Sequence, residues 1–170
     1  MNATERMAAV SAKLRETSFY KMPASTIFHH NFEGGLNQHC IEVWDNLEKL
    51  TSALGLEWQD PSSPFIIAML HDACKIDAYY LNRDYGVWER NENHPEGHGD
   101  LSIEVAEQLG IELTDEEKAC IRWHMGAFDC PANWNRFTDA ISQYPNVLWT
   151  HAADMISTHF TDGEDSKNAE

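Results

Sequence analysis

Basic residues are scarce in this 170-residue chain: 12 Lys and Arg stand against 28 Asp and Glu, a formal charge of −16 with the histidines neutral. A surface that acidic repels phosphate backbones and anionic lipid, which argues against duplex nucleic acid and membranes as partners. A small anionic substrate needs cations concentrated locally, and a bound metal would do that. Long apolar runs are missing too: none approaches the roughly 20 residues needed to span a bilayer. The opening MNATERMAAVSAKLRET alternates charged and small residues without the apolar stretch of a secretory signal, so the expected compartment is cytoplasmic. Cysteine is sparse, with four residues (Cys40, Cys74, Cys120, Cys130) and no CxxC pair. A chain so poor in cysteine is not a disulfide-stapled scaffold, and reduced thiols are expected. There is no internal repeat. The one biased stretch is the polar, acidic tail TDGEDSKNAE (161–170), expected to be disordered.

What is present reads as one domain over residues 1–160, because 42% hydrophobic residues at this length suffice for a sizeable core. The pattern is mostly helical. A first helix is expected over Asn2 to Thr17. From Leu36 to Leu54 the apolar residues Leu36, Cys40, Val43, Trp44, Leu47, Leu50 and Leu54 recur at three- and four-residue steps before Gly55 stops the helix. Pro61 and Pro64 introduce FIIAMLHDACKI, apolar nearly all round and so a buried helix over 65–76. The segment around Tyr85-Gly86 loses this periodicity and reads as a short hairpin or an irregular loop. Helical pattern returns from His98 to Leu109. Thr114 with Glu117 forms a capping box that opens a helix to about His124. Further helices are expected near Arg136 to Gln143 and, after Pro145, from Asn146 to Phe160. No set of strands could build a central sheet. The fold class is therefore all-α, with at most a short β-hairpin.

Nine histidines are many for this length, and their placement matters more than their number. His71 and Asp72 interrupt an otherwise apolar helix, where adjacent ionisable groups are costly unless paired or bound to metal. His39 shares the inward stripe of Leu36 and Val43. Asp154 sits among Ala152, Ala153, Met155 and Ile156. As isolated residues these would each be satisfied core polars, but as a set each would need its own buried partner. Neutral imidazoles and carboxylates suit a divalent cation such as Mn, Fe, Co, Ni or Zn, and one shared cation accounts for all the burials together.

GGLNQH (Gly34 to His39), LHDACK (Leu70 to Lys75) and AADM (Ala152 to Met155), in that order, resemble the HD superfamily of metal-dependent phosphohydrolases. GHGD and IRWHMG are similar to a small stand-alone bacterial subgroup of it. The resemblance implies a single α-helical HD-domain bundle in which His39, His71, Asp72 and Asp154 ligate one metal. It also implies a binuclear centre, with His98 and His124 serving a second metal. The plainer alternatives are a loop histidine at His98 and, at His124, an imidazole favoured by a helix C-terminus.

On that resemblance Asp72 would bridge two cations that lower the pKa of a shared water, giving a hydroxide that attacks phosphorus in line. Lys75, one turn after His71 and Asp72, would reach a substrate phosphate or the bridging ligand. Asp72 and Lys75 are thus the expected catalytic residues. Lys75, His30 and Arg122 are the expected substrate contacts, with Arg122 only at the rim and His30 touching either substrate or the groups behind the ligands. His29 is a weaker candidate. His151 would support a ligand from behind, and His94 and His159 read as surface residues. Cys40 and Cys74 flank ligands in sequence, but no motif supports a nucleophilic role for either. Gly34-Gly35 lacks the context of a phosphate-binding loop and reads as a tight entry into the His39 helix. The expected activity is hydrolysis of a nucleotide or another small phosphorylated metabolite. Two other readings stay open: a mixed-valent di-iron oxygenase using the same ligands, and a non-catalytic nucleotide-binding regulatory module. Homo-oligomerisation is also left open.

Overall fold

A computed structural model describes residues 1–27, 30–127 and 133–161. The expectations for His29, Cys130 and the tail 162–170 lie outside these residues. The described chain is mostly helical: α1 (Ala3–Arg15), α2 (Gly35–Leu54), α3 (Ser63–Leu70), α4 (His98–Gln108), α5 (Asp115–Arg122), α6 (Trp134–Gln143) and α7 (Asn146–Ile156). The one sheet among the described residues is an antiparallel hairpin between α3 and α4. In it β1 (Tyr79–Asn82) pairs with β2 (Val87–Arg90), so that Tyr79 faces Arg90 and Leu81 faces Trp88. No helix is long and apolar enough to cross a membrane.

Local chemistry accounts for most of the helix ends. The Asn2 and Thr114 side chains accept from the Glu5 and Glu117 backbone N–H groups, and each glutamate reaches back to its cap, so α1 and α5 both open on capping boxes. Gly34, at φ 86°, turns the chain into α2. A Cβ on the next residue, Gly35, would lie 2.1 Å from the His30 carbonyl oxygen, so the two glycines do form a tight entry to the His39 helix.

Helix α3 is buried along its whole length, as its uniform hydrophobicity requires. It packs on α2, which also packs on α7, while α5 lies against both α4 and α7. Leu36, Val43 and Leu47 of α2 share one core with Ile66, Ile67 and Leu70 of α3, Ile121 of α5 and Val147 of α7.

Two elements differ from expectation. The helix over 65–76 is not continuous: α3 ends at Leu70, Asp72 takes φ −110° and ψ 20°, and Ala73–Ile76 continue as a 3₁₀ turn. At its far end the chain leaves α-geometry after Ile156 and widens into a π-turn over Ser157–Thr161. Both departures fall beside ionisable residues, where side-chain demands compete with regular backbone hydrogen bonding.

Candidate metal centre

Five segments deliver six side chains to one cluster. His39 comes from the first turns of α2, His71 and Asp72 from the break after α3, His98 from the first residue of α4 and Asp154 from α7. His124 sits in the turn just beyond α5. All six residues singled out as ligands in the sequence lie around the Asp72 carboxylate. His39, His71 and Asp72 place ligating atoms within 4.8 Å of one another, as do Asp72, Cys74 and His98, and such groups could hold a metal ion.

The two oxygens of Asp72 face different partners. Oδ2 lies 3.4 Å from His71 Nε2 and 3.7 Å from His39 Nε2. Oδ1 lies 3.6 Å from His124 Nε2 and 3.7 Å from His98 Nδ1. Asp154 Oδ1 closes the first group, 3.1 Å from His39 Nε2 and 3.8 Å from His71 Nε2.

Hydrogen bonds behind the rings fix which nitrogen carries a proton. His71 Nδ1 faces the Ala68 carbonyl at 2.8 Å, and His124 Nδ1 faces the Ile121 carbonyl at 2.7 Å. A carbonyl only accepts, so both Nδ1 atoms donate. His39 Nδ1 meets Ser157 Oγ at 3.0 Å, and that hydroxyl spends its proton on Glu42 Oε2 at 2.9 Å. Ser157 must therefore accept from His39. In their neutral form the three imidazoles thus present Nε2 lone pairs toward carboxylate oxygens that also only accept. Among the described residues Asp72 Oδ1, His98 Nδ1 and His124 Nε2 are buried without a hydrogen-bond partner. Lone pairs converging on lone pairs repel unless a cation lies among them, and carbonyl-anchored imidazoles are the usual support of metal ligands. The donor set fits a divalent cation that prefers nitrogen and oxygen.

The charge balance points the same way. Burial pushes the Asp72 carboxyl up, but the Lys75 ammonium and His71 outweigh it and hold it well below the usual carboxylate range. Asp154 is likewise raised by burial and more than recovered by the His39 and His71 rings beside it. Both stay ionised. Burial also pushes both imidazoles down. At His71 the neighbouring Asp72 overcomes this and lifts the ring well above its ordinary value, whereas His39 ends lower. Two carboxylates in so little water draw in positive charge, whether as a proton on His71 or as a metal.

Lys75 stands where the 3₁₀ turn puts it. Residues three apart eclipse in that geometry, and Lys75 Nζ donates to Asp72 Oδ2 at 2.7 Å. His30 is buried at φ 52°, with its Nε2 3.0 Å from Glu42 Oε1, on the carboxylate that anchors Ser157. The structure thus sets it behind His39, through Glu42 and Ser157. His151 supports from behind as well, its Nδ1 2.6 Å from the His124 carbonyl oxygen.

Arg122 points to Asp100, whose Oδ1 accepts from its Nε at 2.6 Å, and it lines a separate hollow with Gly97, Trp123 and Arg136. Being two residues from His124 at a helix end sends it to the other side. His94 is not a surface residue: its Nε2 lies 2.9 Å from the Cys74 carbonyl, and its side chain is 9% exposed. His159 is exposed as expected. Cys74, set aside as a neighbour of the ligands, is close enough to Asp72 and His98 to be a further ligand. The 3₁₀ turn, invisible in the helical pattern, swings it there. Burial pushes its thiol up to about 11, which argues against a free reactive thiolate. Glu42 and Ser157 were also missed, although each lies three residues beyond a ligand on its own helix and could have been found by that spacing.

Gly99 ties two of these elements together, since a Cβ there would lie 2.2 Å from the Arg122 carbonyl oxygen. Gly99→Ala must push α4 from the end of α5, where His98 and His124 stand. The expected cost is about 1–3 kcal/mol of stability, read by thermal melting, together with weaker metal retention. A variant matching the parent in both would show that the two helices need not approach so closely.

Comparison with family models, with curated proteins and with solved structures returned no match.

Proposed function

We propose that the chain is a metal-dependent phosphohydrolase of the HD type, acting on a nucleotide or another small phosphorylated metabolite. The observation that carries this reading is the split of Asp72: one carboxylate whose two oxygens face two separate pairs of imidazoles, His39 with His71 and His98 with His124. A bridging carboxylate between two nitrogen-rich half-sites matches what two-metal hydrolytic sites require, with Asp154 completing the first half-site. The ordered motifs through His39, His71-Asp72 and Asp154 support the same reading.

Divalent cations, when bound, supply Lewis acidity to phosphoryl oxygens and bring the pKa of water toward neutrality. The chain's own residues do the rest. His39, His71, His98, His124 and Asp154 would hold the cations, and Asp72 would set their separation. Ser157 and Glu42 keep His39 in the tautomer that offers Nε2, and backbone carbonyls do so for His71 and His124. Lys75 steadies Asp72 and offers its remaining N–H donors to a phosphoryl oxygen. The surrounding apolar core excludes bulk water, which strengthens every one of these interactions.

The test is metal analysis of the purified chain, followed by a phosphate-release screen of phosphorylated metabolites with that metal restored. Two metals per chain and phosphate release are expected. Two irons with a mixed-valent EPR signal and no phosphate release would replace hydrolysis with oxygenation. Tight nucleotide binding without turnover under several metals would make the chain a regulatory module. His124→Ala is expected to halve the metal content while the helical circular-dichroism signal persists; unchanged stoichiometry would mean that His124 holds no metal.

A further inference from the structure

A cavity of about 220 Å³ opens beside the candidate metal centre, lined by Ser25, Thr26, Lys75, Tyr79, Arg90 and His98 among others. Its lining holds no acidic residue, although the chain has 28. Positive charge gathers there instead. Lys75 Nζ, buried on Asp72 Oδ2 at 2.7 Å, stands at the boundary between the cavity and the carboxylate cluster. Arg90 ends β2 directly opposite Tyr79, and side chains of such a cross-strand pair lie side by side on one face of a hairpin. Arg90 has no ion-pair partner among the described residues, so its planar fork of donors is available to a ligand. His98 joins the two compartments, since it lines the cavity and its Nδ1 faces Asp72.

We infer that this cavity holds a second anionic group of the substrate, with Arg90 as the residue that selects for it. The inference rests on the hydrolase reading and narrows its substrate class. The phosphoryl group under attack would sit at the Asp72 cluster, and a second phosphate or a carboxylate a few bonds away would sit against Arg90. The volume lies below the ~300–1,000 Å³ of pockets that enclose larger ligands. It accommodates an anionic group and a short carbon or oxygen link, not a nucleoside. The substrate is therefore a compact metabolite with two anionic ends.

Binding of three non-hydrolysable probes to the metal-restored full chain tests this by calorimetry: phosphonoacetate and methylenebisphosphonate, with two anionic groups, and methylphosphonate, with one. The parent protein is expected to prefer at least one two-anion probe over methylphosphonate by about ten- to a hundredfold. Whichever probe is preferred tells a carboxylate from a phosphate as the second group. Arg90→Gln, at an exposed hairpin end where the fold is undisturbed, should abolish the preference and leave methylphosphonate affinity and metal content unchanged. No preference in the parent, a preference that survives in Arg90→Gln, or an equal loss for all three probes would overturn the inference. Phosphate release is read separately. Its absence from every ester screened would defeat the hydrolase reading while the anion preference stood.

Discussion

If the chain hydrolyses phosphate esters as proposed, Asp72→Asn is expected to yield a folded protein that takes up no metal and releases phosphate about a thousandfold more slowly than the parent. The amide has the shape of the carboxylate, and its oxygen can still accept from Lys75, so the packing around the break after α3 survives. What disappears is the charge on which the two pairs of imidazoles converge. One of the two atoms becomes an NH2 that can only donate, and it must face either His39 and His71 or His98 and His124. An NH2 has no lone pair to offer a cation, so the half-site it faces loses a ligand. Circular dichroism reports the helices, metal analysis the stoichiometry and phosphate release the chemistry. Parent-like metal content and rate in a folded Asp72→Asn protein would remove the bridging carboxylate from the mechanism.

Arg6→Ala is expected to lower the melting temperature by roughly 6–20 °C, from about 3–5 kcal/mol lost when one member of a buried ion pair is removed. Arg6 reaches from α1 to the opening of α5, where its guanidinium meets both Glu117 oxygens at 2.5 and 2.6 Å. It also donates to the Glu112 carbonyl at 2.8 Å and to Ser62 Oγ at 3.2 Å. Glu117 is fully buried and accepts from Ser63 Oγ and the Thr114 backbone as well. Without Arg6 its negative charge stays inside with only neutral donors. Hydrogen bonding to Glu117 and the charges around it hold the guanidinium above even arginine's ordinary pKa, so it stays charged at every working pH. Arg6→Lys should recover only part of the loss, because an ammonium cannot span both oxygens. A melting shift below about 2 °C for Arg6→Ala would mean that Glu117 finds water or another partner.

Glu117 also shows how much a sequence can carry. Its capping-box role followed from its distance to Thr114, and the structure has that box. Its second role, as the acceptor for Arg6, spans 111 residues and leaves no local trace. The same division holds at the candidate metal centre. His39, His71-Asp72 and Asp154 stood out because each set an ionisable group on an apolar face, a conflict visible within a few residues. Arg90 was passed over because a lone arginine at the end of a short strand has no such conflict. Only the packing of the hairpin beside Lys75 and His98 gives it a cavity to line. His94 read as a surface residue because nothing near it in sequence marks a buried partner, and only the fold brings the Cys74 carbonyl to its ring.

By itself, then, the order of residues determined the helical class, most helix ends and the set of side chains with reason to seek a cation. Periodicity, caps and glycines act over one or two turns, where chain connectivity already fixes the neighbours. Only the tertiary structure decided that Asp72 turns one oxygen to His39 and His71 and the other to His98 and His124. It alone broke α3 so that Lys75 falls on that carboxylate, and left a cation-lined cavity in an acidic protein. These depend on the close approach of helices far apart along the chain, at distances of a few ångströms, and such distances follow from how whole elements pack.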